Sequence, residues 1–330
     1  MKISKLSWGN GAVPKESSMV CGKSPRARLI IATFALATVV LSLFAGCVSI
    51  PKEAYTVGGK NGVETVNRFC RCDTDSLETV KTFTNDQTNE LDPDGFSLLV
   101  WNVLKTSRNG WEKDFRQLSS GMDLLVLQEA DRSNEMTQIL ENGGYHWDLA
   151  VAFKYQSDEF GVLTASRAPP NFMCMMRYPE PLISLPKTVM INQYPISGIA
   201  QNLTVANLHL INFTADISQY RSQLQEVETF LMKHDGPLVA AGDFNSWNGG
   251  RMETVNAFAH RLALKSILFK ENNRSLFLGR NVDWVFYRGL EPIHAISSEV
   301  STSDHNPMQV TFRVTMENAD QNDKEAKNEL

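Results

Sequence analysis

The chain has 330 residues, 42% hydrophobic and 21% charged, with a formal net charge of −5. That composition excludes a disordered or low-complexity protein, and a single α/β sandwich of about 200–250 residues fits within the length. Residues 1–47 hold six Lys/Arg and one acid; without them 26 basic residues stand against 36 acidic ones, a net charge near −10. This balance argues against tight non-specific binding to nucleic acid, which rests on many cations meeting phosphates.

In chain order, Arg26 and Arg28 precede LIIATFALATVVLSLFAGCVSI, an uncharged run from Leu29 to Ile50. It reads as an export or anchoring signal, and its length suffices to cross a bilayer core as a helix. Its Leu43-Phe44-Ala45-Gly46-Cys47 resembles the lipobox of bacterial lipoproteins, which implies a lipid on Cys47; an uncleaved signal anchor is the alternative. A buried helix of the folded domain is disfavoured, because the apolar residues show no amphipathic period. The expected location is the bacterial cell envelope, membrane-anchored or periplasmic. Residues before Met19 read as a weak leader, and a mis-set start would instead leave the protein in the cytoplasm.

Outside the leader only Cys70, Cys72 and Cys174 remain, too few for a cysteine metal cluster, and Cys70-Arg71-Cys72 lacks the C-x-x-C spacing. In an oxidising compartment Cys174 could pair with either of the other two. Residues 48–93 are polar and mixed and read as a linker.

From Phe96 onward short apolar runs alternate with helical patterns. The strand readings are Phe96–Trp101, Asp123–Gln128, Trp147–Phe153, Gly161–Ser166, Lys187–Tyr194, Leu203–Leu210, Pro237–Phe244, Val282–Tyr287 and Met308–Val314, by length and β-branched content. Helices are expected at Trp111–Ser120, Glu135–Asn142, Asp216–His234 and Arg251–Leu262. In the third of these, Ile217, Tyr220, Leu224, Val227 and Leu231 recur every three or four residues. Too few helices to match every strand favour two packed sheets flanked by helices over a doubly wound single sheet. Residues 316–330 read as a disordered tail. There is no internal repeat.

Several strands end abruptly in residues that ligate metals or move protons: Asn102 after LLVW, Glu129 after LLVLQ, His209 in ANLHL, and Asp243 and Asn245 in AAGDFN. Singly, each fits a turn, a solvated acid or a hydrogen-bonded core histidine. Asp283 inside NVDWVF is harder to dismiss, because a carboxylate in an apolar strand needs a partner. Asp304-His305 stands before the last strand.

Taken together, VWNVLK, LVLQEA, NLHLINF, AAGDFNSW, VDWVFYRGL and SDHNP resemble the endonuclease/exonuclease/phosphatase superfamily, nearest its YafD-like bacterial branch, from about Phe96 to Val314. The resemblance implies a four-layer α/β sandwich over residues 94–315, with two packed mixed β-sheets flanked by helices, and a metal-dependent phosphoesterase acting by in-line water attack, without a covalent nucleophile. Glu129, assisted by Asn102 and with Asp304 beside it, would hold Mg²⁺ or Mn²⁺, a hard cation content with few carboxylates. Asp243 would activate water, and Asn245 would hold the phosphate or that water. His209 would donate to a phosphoryl oxygen or assist the leaving group. His305 would stabilise the transition state, its tautomer fixed by Asp283. Substrates implied are nucleic acid, a phospholipid or a small phosphoester, for a monomer attached to a membrane by an N-terminal lipid or helix. The alternatives are a small-molecule phosphatase and a catalytically silent binding module. Val103-Leu104-Lys105 lacks the acid that many DNA-repair members place there, and the inositol-polyphosphate phosphatase signature is missing at Asp283. Trp101, Trp247 and Trp284 read as core packing rather than base-stacking platforms.

Overall fold

The computed structural model describes residues 48–51, 55–59, 62–66, 72, 89–183, 185–214 and 216–315. All of them belong to the unit Cys47–Leu330; the leader 1–47, the tail 316–330 and most of 67–88 lie outside the described residues. A first mixed sheet contains β1 (Val48–Ser49), β2 (Tyr55–Gly59), β3 (Gly62–Val66), β4 (Phe96–Asn102), β5 (Leu124–Asp131), β6 (His146–Tyr155) and β7 (Asp158–Ser166), with β16 (Leu290–Ser297) and β17 (Met308–Val314) closing its other edge. A second sheet contains β8 (Phe172–Tyr178), β9 (Lys187–Ile196), β10 (Ile199–His209), β11 (Leu238–Asp243), β12 (Lys265–Ser266) and β15 (Asp283–Arg288). A hairpin of β13 (Leu276–Phe277) and β14 (Arg280–Asn281) stands apart.

Successive strand side chains point to opposite faces, so a strand buried on both sides feeds two cores. On β4, Phe96, Leu98 and Val100 meet Tyr194, Leu203, Val205 and Val239 of the second sheet. Leu99 and Trp101 face outward, against Phe115 of α1 (Trp111–Ser119) and near Met136, Ile139 and Leu140 of α2 (Asn134–Asn142). On the far side, Tyr220, Leu224, Val227 and Leu231 of α3 (Ser218–Leu231) and Val255 and Phe258 of α4 (Gly249–Arg261) cover Leu208, Leu238 and Ala240. Each such side chain contributes about 1.5–3 kcal/mol on burial. Ser133 and Asn248 cap α2 and α4, accepting from Met136 N–H (3.2 Å) and Arg251 N–H (2.9 Å). The fold is the expected four-layer α/β sandwich.

Several stretches differ from the sequence reading, which has no strand at 48–66, β8, β12, β13, β14 or β16. Where 48–93 reads as a linker, residues 48–66 supply β1–β3, paired onto β6. The signal was there: Gly58-Gly59-Lys60-Asn61-Gly62 lies between β-branched residues, a hairpin pattern within a polar stretch. β8 also escapes the pattern, because its FMCMMRY run carries methionines in place of β-branched residues. Cys174 on β8 forms a disulfide with Cys72, resolving the open pairing; Cys70 lies outside the described residues.

Asp148 and Asn192 face each other between the sheets, both buried, with the Asn192 amide donating to Asp148 at 2.9 Å. Burial pushes the Asp148 carboxyl up to about 7, against the smaller opposing effect of that hydrogen bond. Asn192 Oδ1 has no partner and can accept from a protonated Asp148. A folded pKa raised above the unfolded value of about 4 means that the stability it confers is complete below pH ~4 and is lost as pH rises through about 7. Asp148→Asn is therefore expected to flatten this dependence and to gain on the order of 1–3 kcal/mol over wild type at pH ~8 but not at pH ~4, read by urea unfolding at both. Parallel pH profiles for the two proteins would contradict it.

Candidate active site

Strand register builds the site. β10 and β11 are parallel with His209 paired to Asp243, and β11 and β15 are antiparallel with Asp243 paired to Asp283. Three ionisable residues thus form one row across the end of the second sheet. In the first sheet β4 and β5 are parallel, with Asn102 opposite Gln128, so Glu129 follows beside Asn102. A register shift between Leu127 and Ala130 interrupts the β5–β7 ladder here, and Glu129 takes a φ of 49°. A bulge of this kind re-aims a side chain, and the left-handed conformation costs about 1–3 kcal/mol for a residue of its type. Gly242, at φ 131°, lets the strands close in: a Cβ there would lie 2.2 Å from Leu208 O and 2.9 Å from Gln128 Nε2.

Asp243 is the hub. Its Oδ1 accepts from the Asn245 backbone N–H at 2.9 Å, and its Oδ2 accepts from the side-chain amides of Asn102 (3.3 Å) and Asn245 (3.4 Å). Asn245 holds φ 48°, which Asn tolerates better than most residues, and also donates to Leu210 O at 2.9 Å. Burial pushes the Asp243 carboxyl up to about 6; the charge of His305 opposes this and Asp283 reinforces it.

His305 arrives on the loop before β17. Trp101 Nε1–H donates to His305 O (2.8 Å), Ser303 Oγ–H donates to Asn102 O (2.6 Å), and His305 N–H donates back to Ser303 Oγ (3.1 Å). The loop is thereby tied to the strand that carries Asn102. His305 Nδ1 donates to Asp283 at 2.8 Å, leaving Nε2 3.9 Å from Asp243 Oδ2. Burial alone would lower the imidazole pKa, but Asp283 outweighs it and lifts it to about 10. His305 is an imidazolium with one N–H pinned and one aimed at the site.

Two lysines that the sequence reading passed over complete the cluster. Leu104, Lys105 and Thr106 all have φ between 50° and 56°, a left-handed turn that brings Lys105 onto Glu129. Lys187, first residue of β9, lies 2.7 Å from His209 Nε2 and 3.7 Å from Glu129 Oε1. An ammonium has donors only, so His209 Nε2 must accept and its proton sits on Nδ1. Burial, then the Lys187 charge, drives the His209 pKa far down, in keeping with a neutral ring. Burial would raise Glu129, but the positive groups around it, His209, Lys187 and Lys105, hold it at about 2. With His209 neutral, the lysines carry that effect.

Two groups of donors could hold a metal. Asp243, Asp283 and His305 bring donor atoms within 4.8 Å of one another, but His305 Nδ1 is committed to Asp283. Glu129, Asn102 and Asp243 offer oxygen donors alone, with Glu129 ionised, and this set fits a hard divalent cation such as Mg²⁺ or Mn²⁺. Asp304 is exposed, and no hydrogen bond or ion pair joins it to Glu129 or Asn102 among the described residues; its charge acts on His305.

A family model described as "Endonuclease/Exonuclease/phosphatase family" matches residues 99–305, from β4 to the His305 loop. The chain belongs to this family. It is 36% identical over 224 residues to a "UPF0294 protein" of Vibrio vulnificus, covering 67% of this chain and 78% of that protein. A "UPF0294 protein" of Yersinia pseudotuberculosis is 34% identical over 216 residues, 66% and 83% of the two chains. These relatives place the chain in the bacterial branch that the motifs resemble. A crystal structure of an "endonuclease/exonuclease/phosphatase" from Beutenbergia cavernae matches with a TM-score of 0.52 at 16% identity, over 67% of this chain and 72% of that one.

The endonuclease/exonuclease/phosphatase fold thus brings Asn102, Glu129, His209, Asp243, Asn245, Asp283 and His305 to one end of the sandwich and leaves Asp304 at its rim. Of the tryptophans, Trp101 is buried against Phe115, and Trp284 is stacked between Phe286 and Arg274. A lysine opening an apolar strand, as Lys187 does, is a weak signal, since exposed strand ends often carry one. Only its neighbours make it distinctive.

Proposed function

We infer that the protein is a divalent-metal-dependent phosphodiesterase of the bacterial envelope, hydrolysing its substrate by in-line attack of water. The observation that carries this is Asp243, a buried carboxylate with a pKa raised to about 6, held by two amides and faced by an imidazolium. A base that is mostly deprotonated at neutral pH yet retains proton affinity suits water activation. Asn245 and Asn102 fix the carboxylate's orientation. His305, kept cationic by Asp283, directs Nε2–H toward charge that builds on the phosphoryl oxygens. Glu129 and Asn102 would hold the metal, whose positive charge supplies Lewis-acid stabilisation of those same oxygens when bound.

Lys187 alters the part expected of His209. With Nε2 accepting from Lys187, the ammonium rather than ring Nε2 presents N–H donors to an anionic substrate on that side. Lys187→Met is expected to lower kcat/KM for a phosphodiester about 10–10²-fold, with Lys187→Arg recovering part of it and ¹⁵N spectra showing His209 losing its Nδ1–H preference in the Met variant. A Met variant with wild-type kinetics would remove Lys187 from the site's chemistry.

For the envelope location, the uncharged run Leu29–Ile50 and the Cys72–Cys174 disulfide are the support, since disulfides persist in oxidising compartments. Among the described residues no helix is long and apolar enough to cross a membrane. The test of function is a panel with Mg²⁺, with and without chelator: plasmid DNA, RNA, sphingomyelin and p-nitrophenyl phosphate, beside Asp243→Ala and His305→Ala. Chelator-sensitive hydrolysis lost in both variants is expected. No hydrolysis of any substrate, or hydrolysis untouched by either substitution, would leave a binding module.

A further inference from the structure

The loops around the site expose large apolar side chains. Leu276, Phe277 and Leu278, on the hairpin leading into Asp283, are 64%, 52% and 72% exposed; Phe213, after the His209 strand, and Leu182 and Ile183, before Lys187, are 49–65% exposed. Side-chain and backbone contacts tie these loops to one another. Phe277 packs edge-on against Trp247 at 6.1 Å, Trp247 Nε1–H donates to Asn212 Oδ1 at 2.8 Å, and Glu180 accepts the backbone N–H groups of Asn212 and Phe213. The hairpin's base is fixed beside His305, where Asn306 N–H donates to Ser275 Oγ at 2.7 Å. A contiguous exposed apolar surface beside a polar site marks an interaction face.

The hairpin tip is also built against its own backbone. Leu278 and Gly279 occupy the two-residue turn with φ of 50° and 76°. Two positive φ values suit Asn-Gly, whereas a branched apolar side chain at the first position is strained and gains nothing from the turn. A strained residue kept fully in solvent calls for a function outside the fold.

Strand register shows where the chain enters the domain. Val48 pairs with Tyr155, Tyr155 with Asp158 across the β6–β7 turn, and Phe160 with Asp131, two residues beyond Glu129. The chain therefore enters the domain at the same end of the first sheet on which the site lies, and what immediately precedes Val48 is the uncharged run that begins at Leu29. A run of that length partitions into a bilayer. The run continues to Ile50 and so passes directly into β1, whose first residue lies at the site end of the first sheet.

We propose that the apolar ledge of Leu182, Ile183, Phe213, Leu276, Phe277 and Leu278 docks on a lipid bilayer, so that the site opens onto phosphoesters of that bilayer. This rests on the phosphoesterase reading for its substrate and on membrane attachment of the run ahead of β1, from Leu29 to Cys47, for its geometry. Apolar side chains dip below the headgroups, while exposed Arg280 beside them stays at headgroup level. Lys105 and Lys187 then face the phosphate from within the site.

The test uses the full chain bound to phosphatidylcholine vesicles with brominated acyl chains, which quench tryptophan fluorescence on contact. Leu278→Trp is compared with Met232→Trp, an exposed position at the opposite end of α3, each read as the increment over the six native tryptophans. Strong quenching at position 278 and little at 232 is expected; equal quenching, or none at either, overturns the docking face. In parallel, Phe277→Asp/Leu278→Asp should lower hydrolysis of sphingomyelin vesicles at least about tenfold and leave soluble bis(p-nitrophenyl) phosphate within about twofold. Equal losses on both, or a loss confined to plasmid DNA, also overturn it. Quenching needs no turnover, so an inactive wild-type enzyme would sink the phosphoesterase reading and still leave the docking face decided.

Discussion

Asp243→Asn is expected to lower kcat for phosphodiester hydrolysis by about 10²–10⁴-fold while the protein remains folded. The substitution keeps the oxygen that accepts the Asn245 backbone N–H and removes the group able to take a proton from water. It also sets an amide against the donors of Asn102 and Asn245, which lose an acceptor. Against that loss, it relieves the repulsion between two buried carboxylates at paired positions of β11 and β15. Thermal unfolding should therefore shift little, separating a chemical effect from a structural one. In the wild type, activity should rise with pH through about 6, as Asp243 loses its proton, and this limb should vanish in the variant. Retention of activity within about tenfold, with the acid limb intact, would assign the base elsewhere.

His305→Ala should cost on the order of 10³-fold, because it removes a preorganised donor at developing charge. Asp283→Asn is the more discriminating change. Burial pulls the His305 pKa down and Asp283, with smaller help from Asp243 and Asp304, pulls it up to about 10, so without that carboxylate only the weaker pair opposes burial and the ring neutralises at lower pH. The variant is expected to come closest to wild type at acidic pH and to fall away as pH rises, with its alkaline limb moved from near 10 toward neutrality. The sign follows from His305 working as the cation. An Asp283→Asn profile parallel to wild type would mean that His305 acts without its charge. A stability readout runs the same way: the pair contributes fully below the unfolded histidine pKa of about 6.5 and is lost as pH rises through about 10.

Much of this site can be read from strand ends, because a core strand has no reason to finish in a carboxylate, an amide or an imidazole. Asn102, Glu129, His209, Asp243 and Asp283 stand out in that way, and the Asp283–His305 partnership is the one expected from the motifs. Register is not legible to the same degree. That His209, Asp243 and Asp283 fall in a single row depends on one parallel and one antiparallel pairing between residues 34 and 40 positions apart, 209 with 243 and 243 with 283. Lys105 and Lys187 leave no trace in the pattern. One acts through three successive left-handed residues and the other through a strand start, and neither conformation is encoded by its own residue type. Asp304 shows the converse: adjacency to His305 in sequence does not carry its side chain inward, since both sit on a bend ahead of β17 that leaves Asp304 exposed. In the fold, the strands of 48–66 were hidden by polarity, although their turn residues announce a hairpin.

The disulfide between Cys72 and Cys174 spans 102 residues of chain. If the N-terminal run is held in a membrane, any mechanical load on the domain enters ahead of Val48 and meets the two-residue pairing of β1 first. Beyond β3 it meets a covalent bond. Tension that strips β1–β3 from the sheet edge is then diverted through Cys174 into β8, an edge strand of the second sheet, before it can reach β4. The strand that ends in Asn102 lies past this clamp, and so the end of the sandwich that carries Asn102 is shielded from load arriving at Val48.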